Sequence, residues 1–166
     1  MWRLSSAYLM LITTTLSVYY LPKLSELQDS MEIKKEILKG YKIIFPGAVI
    51  SGIVMFLLRD FIIDALFTKD FSKMEVLFAW QIVGDVLKIV SWILAYLMLS
   101  KAMTKSFIFF EILFSILFYV LTVYFTNKMQ LEGVALAHAV NYGLYGVSAA
   151  FSINYALIQK ESVVSG

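Results

Sequence analysis

Long apolar runs separated by short polar stretches dominate the chain. Each run approaches the ~20 residues that a helix needs to cross a bilayer core. None alternates in polarity at every second residue, as the strands of a membrane barrel do, and backbone in lipid can otherwise satisfy its hydrogen bonds only within a helix. The pattern predicts an all-α integral membrane helical bundle. Residues 1–166 would form a single membrane domain with about five transmembrane helices, at 4–21, 43–63, 76–99, 106–126 and 133–158.

Composition supports a membrane environment and excludes several functions. Hydrophobic residues make up 60% of the 166 and charged residues 16%, and the mean hydropathy is +0.79. A soluble domain has about 45–50% hydrophobic residues and about 25% charged residues. The net charge of +2, without a basic and aromatic stripe, argues against a nucleic-acid partner. Since there is no cysteine, thiolate metal sites are excluded. We expect no metal and no cofactor.

The polar stretches predict how the chain crosses the membrane. Residues 22–42 are expected to form a loop with an amphipathic surface helix, and residues 59–75 an interfacial segment. Pro46 is expected in the first turn of the second span, where its missing N–H matters little. The side holding the 22–42 and 101–105 loops carries more Lys and Arg, so the positive-inside rule places it in the cytoplasm. The amino terminus would then lie outside, as in a piece of a longer protein.

Charged and polar side chains interrupt the third span, "FAWQIVGDVLKIVSWILAYLML" (78–99). On a helix, Gln81, Asp85 and Lys88 fall within about 60° of one another, and Trp92 borders the same stripe. Such residues normally face protein or a water-filled cavity. One interpretation is a cavity wall that binds a polar substrate or a coupling ion. The other is a structural Asp85–Lys88 ion pair that fastens the helix to a neighbour.

The last span carries a second polar face, which includes His138, Asn141 and Tyr145. Small residues beside it predict close helix packing. His138 is the only histidine. It is either a hydrogen-bonded helix residue or a group that couples proton movement to transport.

Two further charged positions have alternative interpretations. Glu111 is expected near the cytoplasmic end of the fourth span, reaching the interface or pairing with Lys101 or Lys105. Arg59 is either an interfacial anchor or part of a basic rim that attracts an anionic substrate. No metal-ligand spacing, phosphate-binding glycine loop or Ser–His–Asp set occurs, so the sequence does not predict an enzyme.

Several of these motifs resemble a known transporter family. "LPKLSEL" (21–27) and "ALFTKDFSKMEVLFAW" (65–80) resemble turns of the multidrug/oligosaccharidyl-lipid/polysaccharide exporter superfamily. "LLRDF" (57–61) and "LFAWQIVGDVLK" (77–88) are closer to its enterobacterial flippases for lipid-linked oligosaccharides. These comprise the O-antigen translocases and the flippase for the lipid-linked trisaccharide of the enterobacterial common antigen. The resemblance covers roughly residues 4–159.

The resemblance implies a fold and a function. Such transporters have two lobes of six helices, so this chain would be most of the carboxy-terminal lobe, and the amino-terminal lobe would be its missing partner. They move undecaprenyl-pyrophosphate-linked sugar units across the bacterial inner (plasma) membrane for surface polysaccharide, O-antigen or lipopolysaccharide biosynthesis.

By this resemblance and the face geometry, Lys88 would contact the anionic headgroup and Asp85 would hold Lys88 or couple an ion. Gln81 would bind sugar hydroxyls and Trp92 would stack on a sugar ring. The remaining candidates for substrate and ion sites are Arg59, Asn141, Tyr145 and His138.

Two other functions stay open from the sequence. The chain could be a membrane interaction subunit of a polysaccharide-assembly complex, in which the small-residue faces bind partner proteins. A membrane-bound glycosyl or phosphoglycosyl transferase is a weaker alternative, because it would need an acidic loop at the membrane surface and the sequence has none.

Overall fold

A computed structural model describes residues 2–58, 61 and 75–164, and these are almost entirely helical. We number the helices along the chain: α1 (Trp2–Thr15), a π-helical turn (Leu16–Tyr20), α2 (Leu21–Glu26), α3 (Ser30–Leu57), α4 (Glu75–Ser100), α5 (Thr104–Met129) and α6 (Leu131–Val164). No strand occurs in the described ranges. The all-α bundle predicted from the sequence is confirmed.

Three of the helices are long and apolar enough to cross a membrane: Ser30–Leu57, Ala79–Ser100 and Thr104–Met129. They match the predicted second, third and fourth spans. The predicted first and last spans are also helical, but they carry more polar residues, and their crossing of the membrane stays a prediction.

Helix α3 corrects the expectation of a separate surface loop at 22–42. It begins at Ser30 and continues without a break to Leu57, so the amphipathic stretch and the second span form one helix. Asp29 starts it by accepting a hydrogen bond from the Glu32 N–H at 3.2 Å. Pro46 therefore lies well inside a helix rather than in a first turn. The predicted interfacial segment, with Arg59, falls mostly outside the described residues.

Helix α4 is the centre of the bundle and α5 lies at its edge. Half of the apolar stretch of α4 is buried inside the protein, whereas 6% of the apolar stretch of α5 is buried. Helix α4 packs against α1, α2, α3, α5 and α6, most extensively against α6. The Ser91 hydroxyl bridges this last contact, with Oγ 2.7 Å from the Leu87 carbonyl oxygen and 3.0 Å from that of Tyr142. Polar residues on α4 consequently face protein.

The turn between α4 and α5 is tied to the end of α2 by one lysine. Lys101 Nζ donates to the carbonyl oxygen of Leu24 at 2.6 Å and to that of Leu27. These carbonyls lie at the end of α2, where helical partners are lacking. The pairing of Glu111 with Lys101, one of the alternatives from the sequence, is not formed, because the Lys101 ammonium lies at these backbone oxygens and Glu111 contacts Tyr145 instead.

We expect Lys101→Met to destabilise the protein by about 2 kcal/mol, since it removes charge-assisted hydrogen bonds to backbone carbonyls. In a chain of this size that lowers the melting temperature by about 4–8 °C, measurable in detergent. Lys105→Met is the matched control because Lys105 is exposed at the start of α5. Equal melting temperatures for the two variants would contradict the conclusion that Lys101 stabilises the contact between the α4–α5 turn and the end of α2.

Candidate functional site

A buried polar cluster joins α4 to α6. Asp85 is 1% exposed, and its Oδ1 accepts a hydrogen bond from Gln81 Nε2 at 3.1 Å. His138, which is 2% exposed, brings Nε2 to within 3.2 Å of the same oxygen. We call Gln81, Asp85 and His138 the buried triad. A buried carboxylate requires donors. Gln81 of α4 itself supplies one, and His138 of α6 supplies another when its Nε2 carries a proton.

The triad depends on a glycine one residue before Asp85. A Cβ on Gly84 would overlap Cδ2 of His138 and lie 3.1 Å from the Ala139 backbone nitrogen. The missing side chain lets the imidazole lie against the backbone of α4 and reach Asp85. The ring also packs edge-on against Tyr142, with 4.9 Å between the ring centroids.

Lys88 does not form an ion pair with Asp85, which was one of the two interpretations of the sequence. Within the part of the chain that the structure describes, its ammonium has no carboxylate within 4.0 Å. It lies 5.1 Å from the ring centroids of both Trp92 and Tyr142, a cation–π arrangement. Asp85 is directed to His138 instead, and Lys88 extends one turn further along α4 toward a cavity.

That cavity lies between α4, α5 and α6 and has a volume of about 120 Å³. We call it the Lys88 cavity. Polar and aromatic side chains line it: Lys88, Trp92, Glu111, Phe114, Ser115, Phe118, His138, Asn141, Tyr142 and Tyr145. Because His138 also belongs to the buried triad, the two features share one side chain.

Glu111 lies at this cavity rather than pairing as the sequence suggested. Its Oε1 accepts a hydrogen bond from the Tyr145 hydroxyl at 3.1 Å. Together with Asp85 it attracts the Lys88 ammonium. The sequence did not predict Glu111 as a candidate site residue, nor the other cavity residues Phe114, Ser115, Phe118 and Tyr142. One signal was present: Glu111 is the single charged residue of the apolar stretch 106–127.

Asn141 has an unsatisfied group in the same cavity. The side chain is 5% exposed, and its Oδ1 has no hydrogen-bond partner among the described residues. A buried acceptor without a donor costs about 1–3 kcal/mol. This polar oxygen is therefore available to a molecule that enters the cavity.

The structure thus brings together six of the seven predicted substrate-site residues, in two adjoining groups. Gln81 and Asp85 belong to the triad with His138. Lys88, Trp92, Asn141 and Tyr145 line the cavity. Arg59 lies outside the described residues. Within residues 2–58 and 75–164, no three His, Asp or Glu side chains are grouped as metal ligands.

Comparison with known proteins identifies relatives of this chain. It is 37% identical over 142 residues, 86% of its length, to proteins named lipid III flippase from Escherichia coli (strain K12) and Shigella flexneri. The matched part is 34% of those proteins, so the chain spans about a third of the length of the curated relatives it matches. No family model and no solved structure matches it.

The chain is a homologue of these flippases, which confirms the resemblance inferred from the sequence motifs. The relatives' name describes a transporter rather than a catalyst of a chemical reaction. With three helices in the described part of the chain that are long and apolar enough to cross a membrane, this similarity identifies a multi-pass protein of the bacterial inner membrane.

Proposed function

We propose that this chain, a homologue of the lipid III flippases, is the carboxy-terminal part of a transporter for lipid-linked oligosaccharides. The transporter moves undecaprenyl-pyrophosphate-linked sugar units across the inner membrane for O-antigen or a related surface polysaccharide. It catalyses no chemical reaction. The similarity over 86% of the chain is the observation that carries this proposal. Its partner in this proposal is the part of such a transporter that the chain does not match.

The polar interior of the bundle supports this function. A pyrophosphate and its sugars cannot cross hydrocarbon unaided, so a transporter must replace their hydration along the route. Transporters built from repeated lobes bind their substrates near the middle of the membrane, between the lobes. We infer that the Lys88 cavity and Gln81 supply polar groups along this route, and Arg59 stays a predicted further contact.

The buried triad is suited to ion coupling. Asp85 and His138 share a contact of 3.2 Å in surroundings with almost no solvent exposure. One proton taken up or lost there changes the charge of the pair, and we infer that this changes how α4 packs against α6. We assign Asp85 and His138 the coupling of transport to proton movement.

A second function is favoured by the outer faces of α3 and α5. Both helices expose large apolar side chains, among them Ile43, Leu57, Phe109 and Tyr119. Besides contacting lipid, such faces can pack against another membrane protein. The alternative is therefore a non-transporting subunit that binds other polysaccharide-assembly proteins.

Complementation distinguishes the two functions. The chain is expressed in a bacterium that lacks its oligosaccharide flippase, alone and extended by the upstream helices of a lipid III flippase, and surface polysaccharide is measured. Rescue by the extended version only is the expected result. Rescue by neither, with both proteins present in the membrane, would favour the interaction subunit.

In the extended version, Lys88→Met should slow the appearance of surface polysaccharide at least tenfold. Methionine keeps the apolar stem but loses the charged donor, and a charge-assisted contact is worth about 1.5–3 kcal/mol. Lys128→Met is the matched control, because Lys128 also lies over a tyrosine, Tyr124, but is exposed. Normal polysaccharide from Lys88→Met would remove Lys88 from the substrate path.

A further inference from the structure

The Lys88 cavity is incomplete as a hydrogen-bonding site. Asn141 Oδ1 is an acceptor that has no donor among the described residues. Lys88 Nζ has only aromatic faces as close partners in the described part of the chain. A ligand that satisfies both of these groups must donate a hydrogen bond to Asn141 Oδ1 and accept one from Lys88 Nζ. A hydroxyl group does both, whereas an ionised phosphate oxygen can only accept.

The charges in and beside the cavity disfavour an anion. Lys88 brings one positive charge, and the negative charges of the Glu111 and Asp85 carboxylates offset that charge. Glu111 lines the cavity itself, so a pyrophosphate bound there would face a like charge at short range. Anion sites in proteins are instead built from clustered cations and backbone N–H groups.

The walls of the cavity fit a small ring with a polar edge. The rings of Trp92 and Tyr142 flank the Lys88 ammonium, and Asn141 and Glu111 supply acceptors. A sugar ring has apolar C–H faces and a hydroxylated rim, which match aromatic and polar walls respectively. With a volume of about 120 Å³, the cavity admits one ring at most.

We propose that the Lys88 cavity binds a neutral, hydroxylated sugar ring of the headgroup, with Asn141 as the acceptor that selects it, and that the pyrophosphate is bound elsewhere. This inference rests on the proposed function. It also changes the role of Lys88, which donates to sugar oxygens rather than neutralising phosphate. The same hydroxyl chemistry occurs in glycerol headgroups of membrane lipids, so a test must separate the two sources.

Binding to the purified chain tests the proposal without requiring transport. The protein is prepared in a detergent that has no sugar headgroup, and ligand-detected NMR follows titrations with methyl β-glucoside, glycerol and inorganic pyrophosphate. We expect saturable binding of the glucoside and none of the other two. Saturable binding of pyrophosphate without binding of the glucoside would overturn the proposal. Glycerol that binds as tightly as the glucoside, or no binding of any probe, would also overturn it.

Two variants assign the binding to this cavity. Asn141→Leu has nearly the same shape and should weaken glucoside binding about fivefold to tenfold, the value of one hydrogen bond. Its melting temperature should not fall, because an unsatisfied buried oxygen is removed. Asn154→Leu, on an exposed face of the same helix, is the matched control. Unchanged binding in folded Asn141→Leu would overturn the assignment.

Glu111→Gln provides an independent test of the charge argument. Glutamine keeps an acceptor for Tyr145 and the sugar but loses the negative charge, so glucoside binding should persist while pyrophosphate binding becomes measurable. Loss of glucoside binding with no gain for pyrophosphate would contradict the charge argument. Failure of these binding tests alongside successful complementation would reject the sugar site and leave the flippase function standing.

Discussion

In the version extended by the upstream flippase helices, Asp85→Asn is expected to lower the rate of surface-polysaccharide appearance by a factor of about 100 or more. The variant protein should still insert and fold. Asparagine keeps an oxygen for Gln81 and His138 but can neither hold the charge nor exchange the proton. The carboxylate at this position is 1% exposed, so its charge is weakly screened. Polysaccharide is measured after induction, and membrane protein is quantified by immunoblot.

Asp85→Ala separates coupling from packing. Removing one partner of a buried charged pair costs about 3–5 kcal/mol, so this variant should also accumulate poorly. Asp29→Asn is the control, because asparagine caps a helix as well as aspartate does and Asp29 is exposed. If Asp85→Asn transported at the parental rate, Asp85 would have a structural role only.

Gly84→Ala is expected to destabilise the bundle by about 3 kcal/mol and lower its melting temperature by about 10 °C. The new methyl group would displace His138, which lies in its place, and would crowd the Ala139 backbone nitrogen at 3.1 Å. Asp85 would then lose its contact with His138. Thermal unfolding in detergent measures the effect.

A second-site variant tests this explanation of Gly84. Replacing His138 by Ala removes the overlapping ring. Gly84→Ala should therefore lower the free energy of unfolding much less in the His138→Ala background, which is a clear departure from additivity. Gly47→Ala is the matched control, since a Cβ there meets nothing within 4 Å. Additive effects of the two substitutions would show that Gly84 does not act through His138.

The two groups of polar residues on α4 have different roles in this proposal. Gln81 and Asp85 lie in a closed contact with α6 and are suited to changing its packing. Lys88 and Trp92, one and two turns further on, open into a cavity and are suited to contact with substrate. His138 links them because it belongs to both, so a change of charge at Asp85 can be transmitted to the cavity wall.

The membrane environment, the helical class and the polar stripe on α4 that carries the candidate site follow from the amino-acid sequence alone. Apolar runs of spanning length leave helices as the available structure, and a 3.6-residue period places Gln81, Asp85 and Lys88 on one face. The motifs at 57–61 and 77–88 also indicated the flippase relatives. Composition and local periodicity suffice for these conclusions because each depends on a single segment.

Which side chains contact one another across helices could not be read from the sequence and is known from the packed bundle. Periodicity within α4 made Asp85 and Lys88 neighbours, but the close fit at Gly84 brings His138 from α6 to Asp85 and leaves Lys88 to the aromatic rings. The rotation of α5 likewise directs Glu111 to Tyr145 instead of a lysine at the helix end. Partners on different helices depend on how the helices pack, and a single segment carries no information about that packing.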